Sequence, residues 1–119
     1  MRPVIVRVHS PVGVAEVLWH GEPHDAGGWH HVEWTVDEEI VWGRNTVSAT
    51  VAEPGLRQDG SKVVMRGRLR FTVDGAVVIE LGESRILLDL ASPASDGVDG
   101  AWIEISAEAE TIGFWPCRL

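Results

Sequence analysis

The sequence predicts an all-β protein, a single-domain antiparallel sandwich or small barrel of about 8–10 short strands. Apolar and polar residues alternate with a period of two along most of the chain. Val, Ile, Thr and Trp are plentiful, and clusters of Gly, Pro, Asp and Ser interrupt the alternation at short intervals. The 119 residues are expected to form one domain, 1–119, whose core needs no disulfide or metal.

The stretch S-K-V-V-M-R-G-R-L-R-F-T-V at 61–73 is the clearest strand of the chain. Every second residue from Val63 is apolar, and the residues between them are polar from Arg66 onward, so the strand has one apolar face. A D-G-A turn at 74–76 leads into the next strand in a register that joins two apolar faces, whereas a slip of one residue would mix them. The predicted pairs are Val73 with Val77, Phe71 with Ile79, Leu69 with Leu81, and Arg70 with Glu80.

A G-E-S-R turn at 82–85 leads to a third strand by the same argument. The predicted pairs are Leu81 with Ile86, Ile79 with Leu88, and Val77 with Leu90. Residues 61–90 are therefore expected to form a three-stranded meander with one continuous apolar face. The opposite, polar face also carries three apolar residues, Val64, Val78 and Leu87.

Two tryptophan-containing segments are also predicted to form hairpins. W-I-E-I-S-A-E-A-E-T-I-G-F-W at 102–115 would turn at A-E-A-E, and V-E-W-T-V-D-E-E-I-V-W at 32–42 would turn at D-E-E. The tryptophan pairs that result are Trp102 with Trp115 and Trp34 with Trp42. A cross-strand aromatic pair of this kind contributes up to about 1 kcal/mol.

The remaining segments are expected to complete the sheet. P-V-I-V-R-V at 3–8 opens it, and N-T-V-S-A-T-V-A at 45–52 supplies a further strand with its valines on one face. V-G-V-A-E-V-L-W-H at 12–20 fits either a strand or two helical turns. E-P-G-L-R-Q-D-G at 53–60 and A-S-P-A-S-D-G-V-D-G at 91–100 are predicted to be solvent-exposed loops.

Charge and composition narrow the function classes. The net charge of −8 opposes general nucleic-acid binding, which depends on a basic face that neutralises phosphates. No apolar run approaches the roughly 18 residues of a membrane span, and the first residues lack the features of a signal peptide. The single cysteine, Cys117, fits a reducing compartment, so a cytoplasmic location is expected. Nine arginines against one lysine suggest a GC-rich bacterial genome.

The segment L-W-H-G-E-P-H-D-A-G-G-W-H-H at 18–31 holds four of the five histidines. A zinc site needs three or four converging ligands. His20 and His24 are separated by G-E-P, which could wrap around an ion, and His31 is the preferred third ligand because His30 would point to the other face of a strand. A divalent metal at His20, His24 and His31 is one alternative. The others are a polar loop without a cofactor and a histidine that acts in proton transfer or pH sensing.

An arginine stripe, Arg66, Arg68 and Arg70, is the first candidate contact surface. Three guanidinium groups along one strand could hold phosphate or an acidic partner strand. The alternative is cross-strand ion pairing with Glu80 and Asp89 of the same meander. Both alternatives place the stripe on the polar face of the predicted sheet.

The tryptophans are the second candidate contact surface. If the apolar residues of 102–115 face the core, Trp102 and Trp115 face outward, as in protein interfaces and flat ligand platforms. The alternative is that another segment covers them. Trp19 and Trp29 bracket the histidine segment and could line the mouth of a barrel.

The serines, the cysteine and the turn carboxylates lie in no recognisable catalytic setting, so no catalytic residue is assigned. The favoured function is a non-enzymatic binding domain that contacts a protein or a small-molecule partner through the arginine and tryptophan surfaces. The alternatives are a metal-dependent β-barrel enzyme built on 20–31, an immunity-type protein antagonist, and an OB-like nucleic-acid binder. A homodimer through an edge strand or the tryptophan face is also compatible with the sequence.

Overall fold

The computed structural model describes residues 4–22, 32–91 and 99–116. In these ranges every regular element is a β-strand except the 3-10 turn Ala109–Thr111, so the all-β prediction is confirmed. The ten strands are β1 (Val4–Ser10), β2 (Gly13–Trp19), β3 (Val32–Val36), β4 (Thr46–Ser48), β5 (Gly55–Asp59), β6 (Lys62–Phe71), β7 (Val77–Leu81), β8 (Ser84–Leu87), β9 (Trp102–Glu108) and β10 (Ile112–Pro116). The same ranges contain no helix with the length and apolarity that a membrane crossing requires.

All ten strands belong to one mixed sheet that curls into a half-barrel. Its main path of hydrogen-bonded neighbours is β3-β10-β2-β5-β6-β7-β8, with β1 paired to β2 and β9 paired to both β6 and β4. Most pairs are antiparallel, as the alternation predicts, whereas β2 makes short parallel pairs with β10 and β5. The two strands at the ends of this path are β3 and β8.

The alternation along each strand collects the apolar side chains into one buried cluster. In β6, Val63, Met65 and Leu69 are fully buried, while Arg66 and Arg68 between them remain partly exposed. Burial of one such large apolar side chain contributes about 1.5–3 kcal/mol. The apolar faces of the strands lie on the same side of the sheet because this arrangement buries them in one cluster.

The predicted meander over 61–90 is present, but both of its registers are shifted by two residues. The observed pairs include Arg68 with Glu80, Leu69 with Ile79, Phe71 with Val77, Ile79 with Ile86, and Leu81 with Ser84. The first turn closes one residue early, because the Thr72 N–H donates to the Ala76 carbonyl at 2.9 Å. The second turn contains only 82–83. A shift of two keeps each side chain on its predicted face, so alternation alone does not distinguish these registers.

The predicted C-terminal hairpin is wrong, because β9 and β10 do not pair with each other. β9 lies between β4 and β6, and β10 lies between β2 and β3. Trp102 is therefore opposite Arg68, and Trp115 is opposite Glu33. The 3-10 turn at Ala109–Thr111 carries the chain from one part of the sheet to the other. Alternation shows which face of a strand is apolar but not which strand lies beside it.

The predicted hairpin over 32–42 is also wrong. β3 pairs with β10, and Trp34 packs against Phe114 with ring centroids 4.2 Å apart, rather than against Trp42. Ile40 instead forms a parallel bridge to Leu90. Contacts with Phe114 and Leu90, which are distant in sequence, therefore replace the predicted pairing within 32–42.

Three further segments complete the comparison with the sequence. The segment 12–20 forms the strand β2 rather than helical turns, and β1 opens the sheet as expected. The predicted loop at 53–60 is wrong in part, because it contains β5, which pairs with the start of β6. The strand predicted over 45–52 is reduced to β4. Residues 92–98 of the second predicted loop lie outside the described residues.

Candidate binding groove

A groove of about 510 Å³ runs between β3 and β8, the two ends of the curled strand path. Residues 33–37 form one wall, residues 87–90 form the other, and residues 75–77 complete the lining. The groove exists because the sheet curls far enough to bring its end strands together without joining them by a ladder of hydrogen bonds. Such a groove between unpaired edges is suited to an extended ligand.

Backbone groups of two buried residues point from β3 towards this groove. The Asp37 N–H donates to the Thr111 carbonyl at 2.8 Å, so Asp37 pairs towards β10. Successive strand residues direct their backbone groups to opposite edges, so those of Trp34 and Val36 point to the groove. Trp34 is 9% exposed and Val36 7%, and within the described ranges no strand pairs with this edge. Unpaired backbone groups at buried residues are rare, so the edge is a strong candidate for pairing with a ligand.

One end of the groove is closed by a short bridge between its walls. The Ile40 N–H donates to the Asp89 carbonyl at 2.8 Å, and the Ala91 N–H donates to the Ile40 carbonyl at 3.0 Å. Elsewhere Cα atoms of β3 and β8 approach within 8 Å. A strand hydrogen-bonded to both walls would need them about 9.6 Å apart. The walls are therefore too close at these contacts for a strand that is hydrogen-bonded to both.

The groove has an apolar floor and an acidic rim. Trp34, Val36 and Leu88 are buried residues that line it. The charged residues among the described lining are Glu33, Asp37 and Asp89, all exposed, and no lysine or arginine is among these described residues. The described lining therefore carries three negatively charged side chains and no positively charged one.

An aromatic stack lies on β10 and the residue that follows β2. The rings of His20 and Trp115 are stacked with centroids 4.0 Å apart and 3° between their planes. The Trp115 indole N–H donates to the Thr35 hydroxyl at 3.1 Å. Gly113 makes room for this arrangement, because a Cβ atom there would lie 2.6 Å from His20 Nε2 and 2.7 Å from Thr35 Oγ1. His20 is thus held by an aromatic contact beside the wall formed by β3.

The predicted outward pair of Trp102 and Trp115 is replaced by two separate environments. The Arg68 guanidinium lies over the Trp102 ring, 5.8 Å from its centroid, and the Arg68 Nε–H donates to the Gly100 carbonyl at 3.3 Å. Trp115 is 45% exposed beside His20. Each tryptophan therefore has its own polar partner, and the two do not form a common platform.

The arginine stripe is largely neutralised by acids. Arg70 Nε–H donates to Glu80 at 2.7 Å, as the sequence predicts for this pair of residues. Arg66 forms ion pairs with Glu104 at 3.8 Å and Glu53 at 3.7 Å, two acids that the sequence analysis did not assign to the stripe. The hydrogen bond from Arg70 lowers the pKa of the Glu80 carboxyl below its ordinary range, and the charges of neighbouring arginines add to the effect.

Of the three histidines predicted to bind a metal, the structure describes only His20. His20 lies in the aromatic stack, whereas His24 and His31 lie outside the described residues, as does Trp29. Among the residues in the described ranges, no group of three or more His, Cys, Asp or Glu side chains is placed to hold a metal ion. Trp19 is buried in the core, and its indole N–H donates to the Glu22 carbonyl at 2.9 Å.

The groove was not anticipated from the sequence. Its formation depends on which strands end the path, and that is a non-local property. One local signal pointed towards it, because Leu87 interrupts the polar face of the meander and is 62% exposed beside the groove.

Comparison with protein-family models, with curated proteins and with solved structures found no match for this chain. The geometry of the groove and the chemistry of its walls are therefore the basis of the functional proposal.

Proposed function

We propose that this protein is a binding domain that holds an extended segment of a partner protein in the groove between β3 and β8. The observation that carries the proposal is an edge of β3 with which no strand of the described ranges pairs, and towards which the backbone groups of the buried residues Trp34 and Val36 point. An extended peptide that pairs with a free strand edge gains backbone hydrogen bonds without requiring a particular sequence. This mode of binding needs no catalytic group.

The energetic argument combines two contributions. Each new backbone hydrogen bond contributes about 0.5–1.5 kcal/mol, and more where it satisfies a group that is otherwise buried without a partner. Side chains of the segment would cover the exposed side chain of Leu87, which lines the groove, at about 25 cal/mol per Å² of apolar surface removed from water. Several such contacts together offset the entropy lost when a flexible segment becomes ordered.

The arginine stripe gives less support to the nucleic-acid alternative. Arg66 and Arg70 are in ion pairs with acids of the same sheet, so two of the three guanidinium groups already have anionic partners. Of these three, Arg68 has no carboxylate within 4.0 Å among the described residues, and it lies over Trp102. A phosphate backbone would need several free cations along one face.

The test uses random linear peptides displayed on phage and selected on the full chain. Selected peptides are synthesised, and their affinities are measured by fluorescence anisotropy for the wild type and for Ala76→Phe, which introduces a large ring at a residue that lines the groove. We expect the substitution to weaken binding by about tenfold or more, a free-energy loss of about 1.4 kcal/mol. The matched control is Val47→Phe, which places the same ring on the exposed edge of β4.

Hydrogen exchange measured by NMR locates the bound peptide. We expect the amide hydrogens of Trp34 and Val36 to exchange more slowly when peptide is bound, while the β1 amides that point away from β2 are unchanged. Failure to select any peptide would contradict the proposal. Equal affinity for the wild type and for Ala76→Phe would contradict it as well.

A further inference from the structure

We infer that β1 is an interaction surface at which two copies of this protein pair edge to edge, as antiparallel strands related by a two-fold axis. The inference goes beyond the proposed function, because β1 contributes no residue to the described lining of the groove. It derives from the backbone groups that β1 directs away from β2, from the partly exposed valines on its core side and from its charges.

One edge of β1 has no neighbouring strand in the described ranges, where β1 pairs with β2 alone. The Glu16 N–H donates to the Gln58 side chain at 2.8 Å, away from β1. Just after β2, the His20 N–H donates to the Phe114 carbonyl at 2.9 Å, in the same direction. Because backbone direction alternates along a strand, the odd-numbered residues of β2 direct their backbone groups to β1.

The register between β1 and β2 identifies the residues whose backbone groups lie on the free edge. It places the odd-numbered residues of β2 opposite even-numbered residues of β1, such as Val17 opposite Val6. The odd-numbered residues of β1 therefore direct their N–H and carbonyl groups away from β2. These residues are Ile5, Arg7 and His9.

This edge lacks the features by which proteins prevent edge-to-edge association. β1 contains no lysine and no proline, and its seven residues pair with β2 without a bulge. On the outer face of the strand, Ile5 is 50% exposed. A long, regular edge with exposed apolar side chains is a template for pairing with another strand.

The core side of β1 is incompletely buried, which indicates what a neighbouring strand would cover. Val6 and Val8 are opposite Val17 and Ala15, which are completely buried in the core. The two valines of β1 are only partly buried and pack at the margin of that core. A further strand beside β1 would cover these valines and give partners to the free backbone groups at the same time.

The pattern of β1 is self-complementary in the register centred on Val6. Residues that point to the edge must face each other to form hydrogen-bonded pairs, so odd-numbered residues pair with odd-numbered residues. A two-fold axis at Val6 places that residue opposite its symmetry mate and Val4 opposite Val8, so every core-side valine meets a valine. The same axis places Ile5 opposite Arg7. An axis at Arg7 would instead place two guanidinium groups directly opposite each other, which is destabilising.

The charges near this edge allow two copies to approach each other despite the net charge of −8. Glu16 is the only acid in β1 and β2, and it forms an ion pair with Arg7 at 3.5 Å. Two copies that meet at β1 therefore bring no uncompensated acids of these strands together. The favourable partner for this edge is thus a second copy of the same strand.

The first measurement is sedimentation of the full chain between about 10 μM and about 1 mM, because a pair of short strands buries less surface than a permanent dimer does. We expect a concentration-dependent shift from monomer to dimer. No larger species should form, since a two-fold pairing uses the free edge of β1 in both copies. A chain that remains monomeric throughout, or that assembles beyond the dimer, overturns the inference.

The variants Ile5→Lys and Ile5→Glu test the register by placing opposite charges at one exposed position. In the register centred on Val6, either new charge is opposite Arg7, and each dimer contains this pair twice. We expect the dimer Kd of Ile5→Lys to be about tenfold higher than that of Ile5→Glu. Net charge alone predicts the reverse order, since Ile5→Lys lowers the net negative charge and Ile5→Glu raises it.

The matched control for these variants is Val14→Lys, at an exposed residue of β2 that does not lie on the free edge. Its dimer Kd should stay within about twofold of the wild-type value, because an isolated exposed charge contributes little. Equal Kd values for the two Ile5 variants, or the order that net charge predicts, would show that the copies do not pair in this way.

Cysteine cross-linking tests the position of the two-fold axis, in a Cys117→Ser background with oxidised glutathione as the oxidant. Val6→Cys would lie opposite its own symmetry mate in a non-hydrogen-bonded pair, where Cα atoms about 4.5 Å apart are within reach of a disulfide. Val8→Cys is the control on the same face, since Val8 would lie opposite Val4. We expect a covalent dimer for Val6→Cys and a much lower yield for Val8→Cys. Equal yields, or no dimer from Val6→Cys, would overturn the inference.

Discussion

Asn45 holds together the connection between β3 and β4. Its side-chain oxygen accepts hydrogen bonds from the Val41 N–H at 2.9 Å and the Thr46 hydroxyl at 3.1 Å. Its side-chain nitrogen donates to Glu38 at 3.0 Å and to the Glu39 carbonyl at 2.8 Å. Replacement of this nearly buried amide is expected to lower the free energy of unfolding, because several partners would lose their hydrogen bonds at once.

Replacement of Asn45 by alanine is expected to lower the free energy of unfolding by about 1–3 kcal/mol, because several partly buried groups would lose their partner. Urea denaturation followed by tryptophan fluorescence measures the change. The control is Ser48→Ala on the exposed part of β4, which should leave stability almost unchanged. An equal, small effect of both substitutions would show that the connection does not depend on Asn45.

Glu80 is expected to make stability depend on pH in acid. Its pKa is lowered by the hydrogen bond from Arg70, with added attraction from the charges of Arg70, Arg85 and Arg68. Because the pKa is lower in the folded state, the stabilisation is complete above the unfolded pKa of about 4.3 and is lost as the pH falls through the folded value.

The variant Glu80→Gln should therefore show a flatter dependence of unfolding free energy on pH below the ordinary glutamate range. Urea denaturation at a series of pH values compares it with wild type and with Glu83→Gln, an exposed acid in the neighbouring turn. An unchanged slope in Glu80→Gln would mean that the bond from Arg70 at 2.7 Å does not persist in solution.

At the scale of elements, β6 organises the sheet by serving two neighbours along one edge. Its first half pairs with β5 and its second half with β7, while β9 runs along the opposite edge. Gly67 lies at the junction, where a Cβ atom would collide with the Glu80 carbonyl oxygen and lie 2.9 Å from Ile79 Cγ1. The absence of a side chain allows β7 to approach β6 at the point where β5 ends.

Gly67→Ala is expected to destabilise the protein by about 1–3 kcal/mol, because backbone must move to relieve the collision. Gly55→Ala is the matched control in β5, where a Cβ atom would meet only the flexible end of Arg66 at 3.0 Å. The two unfolding free energies, measured in urea, should differ clearly. Equal effects would show that the junction tolerates a methyl group.

At the scale of the whole molecule, the half-barrel is open along the groove between β3 and β8, and Ile40 bridges the two walls at one end of the groove. Ile40 is 1% exposed and forms the backbone bridge to Leu90 that joins the two walls. Truncation to alanine should cost about 2–5 kcal/mol through lost burial and the cavity that remains. Urea denaturation measures that cost, and Val51→Ala, at an exposed position, is the control.

The Ile40→Ala variant is also expected to weaken the backbone hydrogen bonds that join the two walls of the groove. The Ala91 amide, which donates to the Ile40 carbonyl at 3.0 Å, should exchange faster with solvent in Ile40→Ala. If that amide exchanges at its wild-type rate while stability falls, Ile40 supports the core but does not hold the walls together.

The sequence by itself determined the fold class and the faces of the strands. Period-two alternation places Val63, Met65 and Leu69 on the core side of β6, and it brings the arginine stripe to the face that carries Glu80. These features are local, since each depends on the order of residues within one strand or one hairpin.

Only the tertiary structure decided which strands are neighbours, and therefore where the candidate site lies. The pattern of 102–115 is as compatible with a hairpin as with the two separate strands β9 and β10, because alternation defines a face and not a partner. Packing of the shared core selects among these pairings through the burial of many side chains at once. That selection makes β3 and β8 the ends of the path, and it creates the acidic groove between them.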